Sequence, residues 1–318
     1  MKSNVVSFSK ASIRNDLFKN CSLNDVYDMF LSEFNDNTRY EYKTAIDQFF
    51  DYAFGIDIRS DYFDTAMLAS VTLFTAKKYY NALISGDVTG SEMSNATASK
   101  KIYALSAFWK MLTQYFGDIK GGAWQIGIKR ESTPYDTFTA DEIRQLIEWS
   151  WNRGKKGHVV SLWFETSFAT GIRKTALCNL KWSEINHKID RKTNTMVWII
   201  DTVDKGGKMT NTPISDELYA KLRKYGSKGE YVFNISSKTI DRAMSDFKNE
   251  VIHDSSRRLC VHSIKSASID MAYAVSGGDL QMAKLQGHHS SSDTTERHYL
   301  GKGVPMVERP SYKYRPAF

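Results

Sequence analysis

Residues 287–300, with the sequence GHHSSSDTTERHYL, gather three imidazoles, a run of hydroxyls and a tyrosine in a stretch with little apolar content. Residues 293–296 have the pattern of a helix capping box, which predicts that Tyr299 lies on a short helix with polar neighbours. A core tyrosine usually has apolar residues at helical spacing, and Tyr299 mostly lacks them. The phenol is therefore a candidate nucleophile, and the alternative is an ordinary polar loop.

Cationic groups that can surround such a phenol occur in two other segments. Gly171 predicts the end of one helix, and Arg173 then lies at the start of the next, where a guanidinium and backbone N–H groups can bind an anion. His262 and Lys265 are three positions apart at the front of another predicted helix, so both can reach one target. Taken alone, each is better explained as an ordinary surface residue.

The helix that carries His262 is predicted to run to about residue 275. Its buried stripe is predicted at Ile264, Ala267, Met271 and Val275. A shorter helix follows over residues 279–285, and Gly287 is predicted to end it.

A β-hairpin is predicted from two extended runs, residues 195–203 and 210–214, on either side of a Gly-Gly turn. Lys205 and Lys208 lie at its tip. The whole set of arginine, lysines, histidines and tyrosine contains no carboxylate pair and no metal-ligand spacing. Such a set suits metal-free phosphoryl transfer, in which cations stabilise charge and a phenol attacks phosphorus.

Length and charge describe a folded protein with an acidic partner. The chain has 318 residues, enough for two domains, and a net charge of +7 at pH 7, which favours nucleic acid as the partner. Its three cysteines are far apart, which argues against a disulfide framework or a zinc module and fits a reducing cytosol. There is no apolar run of membrane-spanning length and no secretory signal, so we expect a soluble cytoplasmic protein.

Helical periodicity predicts a small all-α domain over residues 22–117, after an N-terminal tail of residues 1–21. Four predicted helices supply apolar faces, and their aromatic side chains are expected to form its core.

Residues 118–136 lose this periodicity and contain glycines, a proline and the basic pair Lys129 and Arg130, which predicts an interdomain linker. The second domain is predicted over residues 137–300, followed by a basic C-terminal tail of residues 301–318.

In this order the motifs resemble those of the tyrosine recombinases, the phage-integrase family. The matching residues are Thr170-Gly171-Ile172-Arg173, Lys205, His262 and Lys265 as His-x-x-Lys, Gly287-His288 and Tyr299. Residues 177–185 (LCNLKWSEI) are similar to the family's segment after its first arginine. The resemblance covers about residues 137–300, and the helical domain with its basic linker is similar to the family's core-binding domain.

The resemblance implies a mainly α, α+β fold with a small antiparallel sheet, in which an all-α, SAM-like core-binding domain and a catalytic domain form a C-shaped DNA clamp. It implies a site-specific recombinase that cleaves and rejoins double-stranded DNA through a 3′-phosphotyrosine, without a metal ion or nucleotide cofactor. Four protomers would act on two synapsed sites, and an accessory DNA-bending protein is a candidate further partner. An integrase of a phage or mobile element, in a bacterial host cell, is favoured.

The family's residue roles carry over position by position. Tyr299 would attack the scissile phosphate and leave a free 5′-hydroxyl. Arg173 would hold the non-bridging oxygens, and Lys205 would reach the minor groove and protonate the leaving oxygen. His262 would accept or relay the tyrosine proton, and His288 would hydrogen-bond the phosphate. Further DNA contacts are expected from Lys208, Lys129 and Arg130.

The chain departs from the family pattern at three places. Lys265 stands where the family has its second arginine, which keeps the charge and loses the bidentate fork. Ala176 stands where an acidic residue usually follows the first arginine, so another group must orient Arg173. The gap before the tyrosine is about two residues longer than usual, which leaves His288 and His289 as alternative phosphate contacts.

Other interpretations stay open at this point. They are an Xer-like resolvase, a type IB topoisomerase-like enzyme that nicks and closes DNA as a monomer, and a DNA-binding protein with an impaired site. Lys265 and Ala176 are the arguments for the last of these. Tyr312 and Tyr314, in the basic tail, are alternative nucleophiles.

Overall fold

The computed structural model of the chain divides it into two units, Met1–Thr133 and Pro134–Phe318, each with its own hydrophobic core. The division falls inside the segment predicted as a linker. The residues that the structure describes are 22–59, 65–116, 119, 124–127, 135–203, 207 and 209–289.

Five helices build the described part of the first unit. They are α1 (Leu23–Ser32), α2 (Asp36–Phe54), α3 (Thr65–Ala69), α4 (Leu73–Ser85) and α5 (Asn95–Phe116). The four predicted helices are confirmed, and the short α3 is additional. At the start of α1, Asp25 N donates to Ser22 Oγ at 3.2 Å and Ser22 N donates to Asp25 Oδ2 at 2.8 Å, so the helix begins with a capping box.

Aromatic side chains fill the core of this unit, as predicted. Phe49 is fully buried and packs edge-on against Tyr79, Trp109 and Trp124, with ring centroids 4.7–5.5 Å apart. Edge-to-face packing of this kind matches the positive ring edge of one residue to the negative face of another. These aromatic rings are therefore core residues.

The second unit consists of helices and a small sheet. Its helices are α6 (Ala140–Trp151), α7 (Gly154–Thr170), α8 (Lys174–Cys178), α9 (Asp216–Tyr225), α10 (Ser237–Phe247), α11 (Val261–Val275) and α12 (Leu280–Gly287). A 3₁₀ turn (Trp182–Glu184) precedes the sheet, and a π-helical turn (Lys248–Ile252) follows α10. The strands are β1 (Ile185–Asp190), β2 (Thr195–Val203) and β3 (Met209–Ile214).

The sheet is antiparallel with the order β1-β2-β3. The predicted hairpin is confirmed as β2 and β3, which pair from Trp198 with Ile214 to Val203 with Met209. Strand β1 was not predicted, because its sequence is polar and only its first residue is buried. The fold is mainly helical with a three-stranded sheet, as the predicted fold class requires.

Helix α7 is the central helix of this unit. Its residues Leu162, Trp163 and Phe164 are all buried, so the middle of the helix is covered over most of its circumference. The hydroxyl of Thr170, in its last turn, donates to Thr166 O at 2.6 Å and so stays satisfied inside the core. Among the described residues, no helix has the length and apolar content needed to cross a membrane.

Candidate active site

The end of α7 is shaped by a glycine that allows another helix to approach. Gly171 adopts a left-handed conformation with φ of 62°, and a Cβ there would meet Gln286 O at 2.2 Å. The side chain of Gln286 donates to Ala169 O at 2.9 Å and to Ser268 Oγ at 2.6 Å. The contacts of Gln286 thus join α7, α11 and α12 directly below the segment that carries Arg173.

Arg173 follows this turn as the N-cap of α8, in extended backbone conformation and half-buried. The helix after it is only five residues long. Ala176, at the position where the family pattern has an acid, packs against the hydrophobic core. Arg173 lines a cavity of about 410 Å³. The wall of this cavity includes Tyr135, Arg173, Lys174, Asp241, His262 and Lys265.

The second wall of the cavity is the start of α11, which confirms the predicted helix around His262 and Lys265. The chain before it is anchored to α6. Arg257 Nη2 donates to Glu142 Oε2 at 3.0 Å, and this arginine is the main reason that the pKa of Glu142 is lowered. One residue later, Arg258 N donates to Asp136 Oδ2 at 2.6 Å. These bonds fix where the first turn of α11 lies.

His262 lines the cavity, and its side chain remains partly exposed to solvent. Partial burial of the ring against the wall lowers its pKa, and the charges of Lys265 and Arg173 lower it further. The imidazole is therefore neutral at neutral pH. A neutral imidazole is able to accept a proton from a nearby phenol.

Lys265 lies deeper in the same cavity and is only 3% exposed. Its Nζ donates to Gly171 O at 2.6 Å, which satisfies part of the demand of a buried ammonium. Lys265 thus ties α11 to the end of α7 in addition to placing a positive charge in the cavity. We call Lys265, together with the adjoining Gly171, Ser268 and Gln286, the floor; of these four, Lys265 lines the cavity. We call the partly exposed Arg173, Lys174, Asp241 and His262 the rim.

The two adjacent imidazoles at the end of α12 have different surroundings. His288 Nε2 lies 2.9 Å from Thr170 O, so that nitrogen carries the proton and donates it to the carbonyl. His289 is 7% exposed, and its ring packs on Gly287, where a Cβ would meet His289 Cε1 at 2.7 Å. Of the two, only His288 is partly accessible beside the end of α7.

The predicted stop of α12 at Gly287 is wrong by one position. Gly287 is the last helical residue, and His288 is the C-cap with φ of 54°. A side chain at position 287 would meet the ring of His289, so glycine leaves room for that imidazole. The predicted stripe of α11 is wrong in its second half, since Met271 is 36% and Val275 78% exposed.

Several predicted site residues lie outside the described residues. They are the hairpin lysines Lys205 and Lys208, the linker residues Lys129 and Arg130, the tyrosine Tyr299, and the alternative nucleophiles Tyr312 and Tyr314. Their roles stay predictions. Among the described residues, the predicted Arg173, His262 and Lys265 meet in one cavity, and His288 contacts the adjoining turn.

Sequence reasoning did not single out Lys174 and Asp241, which also line the cavity. Lys174 Nζ donates to Asp241 Oδ2 at 2.8 Å and to Oδ1 at 2.9 Å. Lys174 had a signal, its position next to Arg173. Asp241 had none, because α10 reaches the cavity only through the tertiary fold.

Comparison with known families and proteins agrees with this geometry. The family model described as "Phage integrase family" matches residues 136–303, which is more than half of the chain. The chain is 26% identical over 289 residues to the SPbeta prophage-derived probable integrase/recombinase YopP of Bacillus subtilis (strain 168). That alignment covers 86% of this chain and 77% of the relative.

Solved structures show the same fold. A lambda integrase dimer bound to a COC′ core site matches with a TM-score of 0.65 at 17% identity, covering 89% of this chain and 96% of that one. XerH recombinase in a post-cleavage complex with a palindromic difH substrate matches with a TM-score of 0.62 at 14% identity, covering 89% and 82%. The Tn1549 transposon integrase in complex with transposon right end DNA matches with a TM-score of 0.59 at 14% identity, covering 87% of this chain and 94% of that one.

Proposed function

Because the chain belongs to the phage integrase family and is a tyrosine-type site-specific recombinase, we propose that it cleaves and rejoins DNA through a phosphotyrosine on Tyr299. The observation that carries this proposal is the cavity itself. Arg173 from the start of α8, and His262 and Lys265 from the front of α11, line one space of about 410 Å³. A phosphodiester needs such a convergence of cations when side chains alone stabilise the charge of its transition state.

In the proposed step the Tyr299 oxygen attacks phosphorus, and the bond from phosphorus to the 5′-oxygen breaks. The proton of the phenol passes to His262, which is neutral because its pKa is lowered by burial and by neighbouring cations. Lys205 gives a proton to the leaving 5′-oxygen. A second attack by a 5′-hydroxyl reverses these transfers and rejoins the strand, so no nucleotide cofactor is consumed.

The cations of the cavity are proposed to share the charge of the phosphate. Arg173 presents a planar fork of donors suited to two non-bridging oxygens. Lys265 adds its charge from the floor, and His288, which is partly accessible, is proposed as the imidazole that approaches the phosphate. His289 is proposed to serve as packing, since its ring is almost fully buried against Gly287.

The proposed substrate is a double-stranded recombination site held by both units of the chain, with Lys208, Lys129 and Arg130 as further DNA contacts. Lambda integrase has been solved as a dimer on a core site and as a tetramer on a Holliday junction. By analogy we propose that four protomers act on two sites, with an accessory DNA-bending protein as a further partner. The prophage-derived relative supports integration over dimer resolution.

A nicked suicide substrate tests the proposal, because the short strand released by cleavage diffuses away and traps the covalent adduct. The wild-type chain, mixed with such a duplex from the DNA that flanks its own element, should form an adduct. Tyr299→Phe should bind the duplex and form none, whereas Tyr312→Phe and Tyr314→Phe should react as wild type does. If Tyr299→Phe forms as much adduct as the wild-type chain, another residue is the nucleophile.

A second assay separates recombination from topoisomerase-like nicking and closing. A plasmid with two recombination sites should yield exchanged products, and a supercoiled plasmid without a site should stay supercoiled. Relaxation of the plasmid that lacks a site, without exchange on the other, would favour the topoisomerase interpretation.

A further inference from the structure

The cavity contains a cation and a carboxylate to which the roles above assign nothing. Lys174 is the first residue of α8, directly after Arg173, and Asp241 lies on α10 across the cavity. The Lys174 ammonium donates to both carboxylate oxygens, at 2.8 and 2.9 Å. Their side chains are 33% and 51% exposed, so water reaches the pair.

An ion pair between partly exposed side chains stabilises a fold only weakly, because water screens the attraction and competes for both groups. The lysine side chain has a flexible stem of four carbons, so the ammonium can change its hydrogen-bond partner while the backbone stays in place. A non-bridging phosphate oxygen offers the same charged acceptor as a carboxylate oxygen. The pair is therefore suited to exchange its carboxylate for a phosphate.

The floor of the cavity gives a reason why such an additional cation is needed. Lys265 replaces the arginine of the family pattern, so its fork of donors is lost. The residue is 3% exposed, and its ammonium donates to Gly171 O at 2.6 Å. A lysine that reaches in from the rim, beside Arg173, restores a donor where the phosphate enters.

We propose that Lys174 is a phosphate-binding residue of this recombinase. When DNA binds, its ammonium leaves Asp241 and donates to a non-bridging oxygen of the scissile phosphate beside Arg173. The proton stays on the lysine, and no covalent bond changes. Asp241 is a positioning residue that holds the ammonium at the rim before the phosphate arrives. This inference rests on the proposed function, since it presupposes that the cavity receives the scissile phosphate.

Opposite effects of the two partners test the proposal. Lys174→Met should slow adduct formation on the nicked duplex about tenfold to a hundredfold and reduce the log–log salt slope of DNA binding by about one. Asp241→Asn should tighten the binding of uncleaved DNA about threefold, because the carboxylate no longer competes with the phosphate. Lys174→Arg, which keeps a cation, should recover most of the lost rate.

A matched ion pair of the same unit serves as the control. Lys221 Nζ lies 2.7 Å from Glu165 Oε1, and the two side chains are 41% and 28% exposed. Neither lines the cavity, so Lys221→Met and Glu165→Gln should leave the cleavage rate within about twofold of wild type. If Lys174→Met and Asp241→Asn slow cleavage equally and lower the unfolding temperature together, the pair is merely a structural tie and the proposal is overturned.

A neutral phosphate identifies which phosphate Lys174 contacts. A methylphosphonate at the scissile position replaces one charged oxygen with a methyl group, so wild type and Lys174→Met should then cleave at the same rate. An unchanged rate ratio would mean that the ammonium acts elsewhere, which overturns the proposal. If the wild-type chain forms the covalent adduct on ordinary DNA, the proposed cleavage function stands, whatever the methylphosphonate result says about Lys174. If the wild-type chain forms no adduct, the proposed function itself fails and not only the role of Lys174.

Discussion

The floor and the rim of the cavity differ in how their groups are held. On the floor, Lys265 is buried and bonded to a backbone carbonyl, and Gly171 touches the backbone of α12. On the rim, Arg173 and His262 remain partly open to solvent, with the pair of Lys174 and Asp241 beside them. The difference suggests that the floor fixes the geometry of the site and that the rim performs its chemistry.

The largest expected effect lies on the rim. Arg173→Gln removes the charged fork and should lower the rate of covalent adduct formation by about 10²–10³-fold. Because the side chain is half-buried at the cavity wall, the unfolding temperature should stay within a few degrees of wild type. Single-turnover cleavage and thermal unfolding measure the two quantities. A large fall in stability would show that Arg173 supports the fold as the floor residues do, which contradicts the proposed difference between floor and rim.

The floor should respond in the opposite way. Gly171→Ala places a methyl group against Gln286 O and forces a left-handed residue, so the free energy of unfolding should fall by about 2–5 kcal/mol. Urea unfolding of the whole chain measures it.

The control for this substitution lies at the other end of the same helix. Gly154 also has positive φ, 78°, but nothing within 4 Å of its Cβ direction. Gly154→Ala should therefore cost only about 1–2 kcal/mol. Equal costs at the two glycines would show that α12 does not press on the end of α7.

Lys265 connects the two regions, since it is buried on the floor and lowers the pKa of His262 on the rim. Lys265→Met should slow cleavage by about tenfold to a hundredfold. It should also raise the pKa of His262 toward 6.5, the ordinary value for histidine. His262 must be neutral to accept the proton, so the acidic limb of the pH–rate profile should move to higher pH. If the acidic limb of the pH–rate profile stays in place, the group that titrates in that limb is not His262.

The smallest effect is expected at the end of α12. Gly287→Ala should displace the His289 ring and lower the free energy of unfolding by about 1 kcal/mol. Adding His289→Ala to the same chain should remove this loss of stability. His289→Ala alone should slow cleavage less than His288→Ala does. The reverse order would make His289 the imidazole that approaches the phosphate.

The local features of the site could be predicted from the sequence because they depend on nearby residues. The front of α11 around His262, the turn at Gly171 and the hairpin each have a short-range signal in capping, glycine or alternation. Asp241 has none, because only packing of α10 brings it to the cavity. Met271 and Val275 have the helical spacing of a buried stripe, but both are exposed in the structure. Helical spacing shows which residues share a face and not whether another element packs on that face.

The most direct measurement is identification of the residue joined to DNA. Wild-type chain is reacted with the nicked duplex in the presence of EDTA, digested with protease, and the DNA-linked peptide is sequenced by mass spectrometry. The account predicts a peptide that carries a nucleotide 3′-phosphate on Tyr299, formed without a divalent ion. A link at any other residue, or cleavage that appears only when a divalent ion is restored, would contradict it.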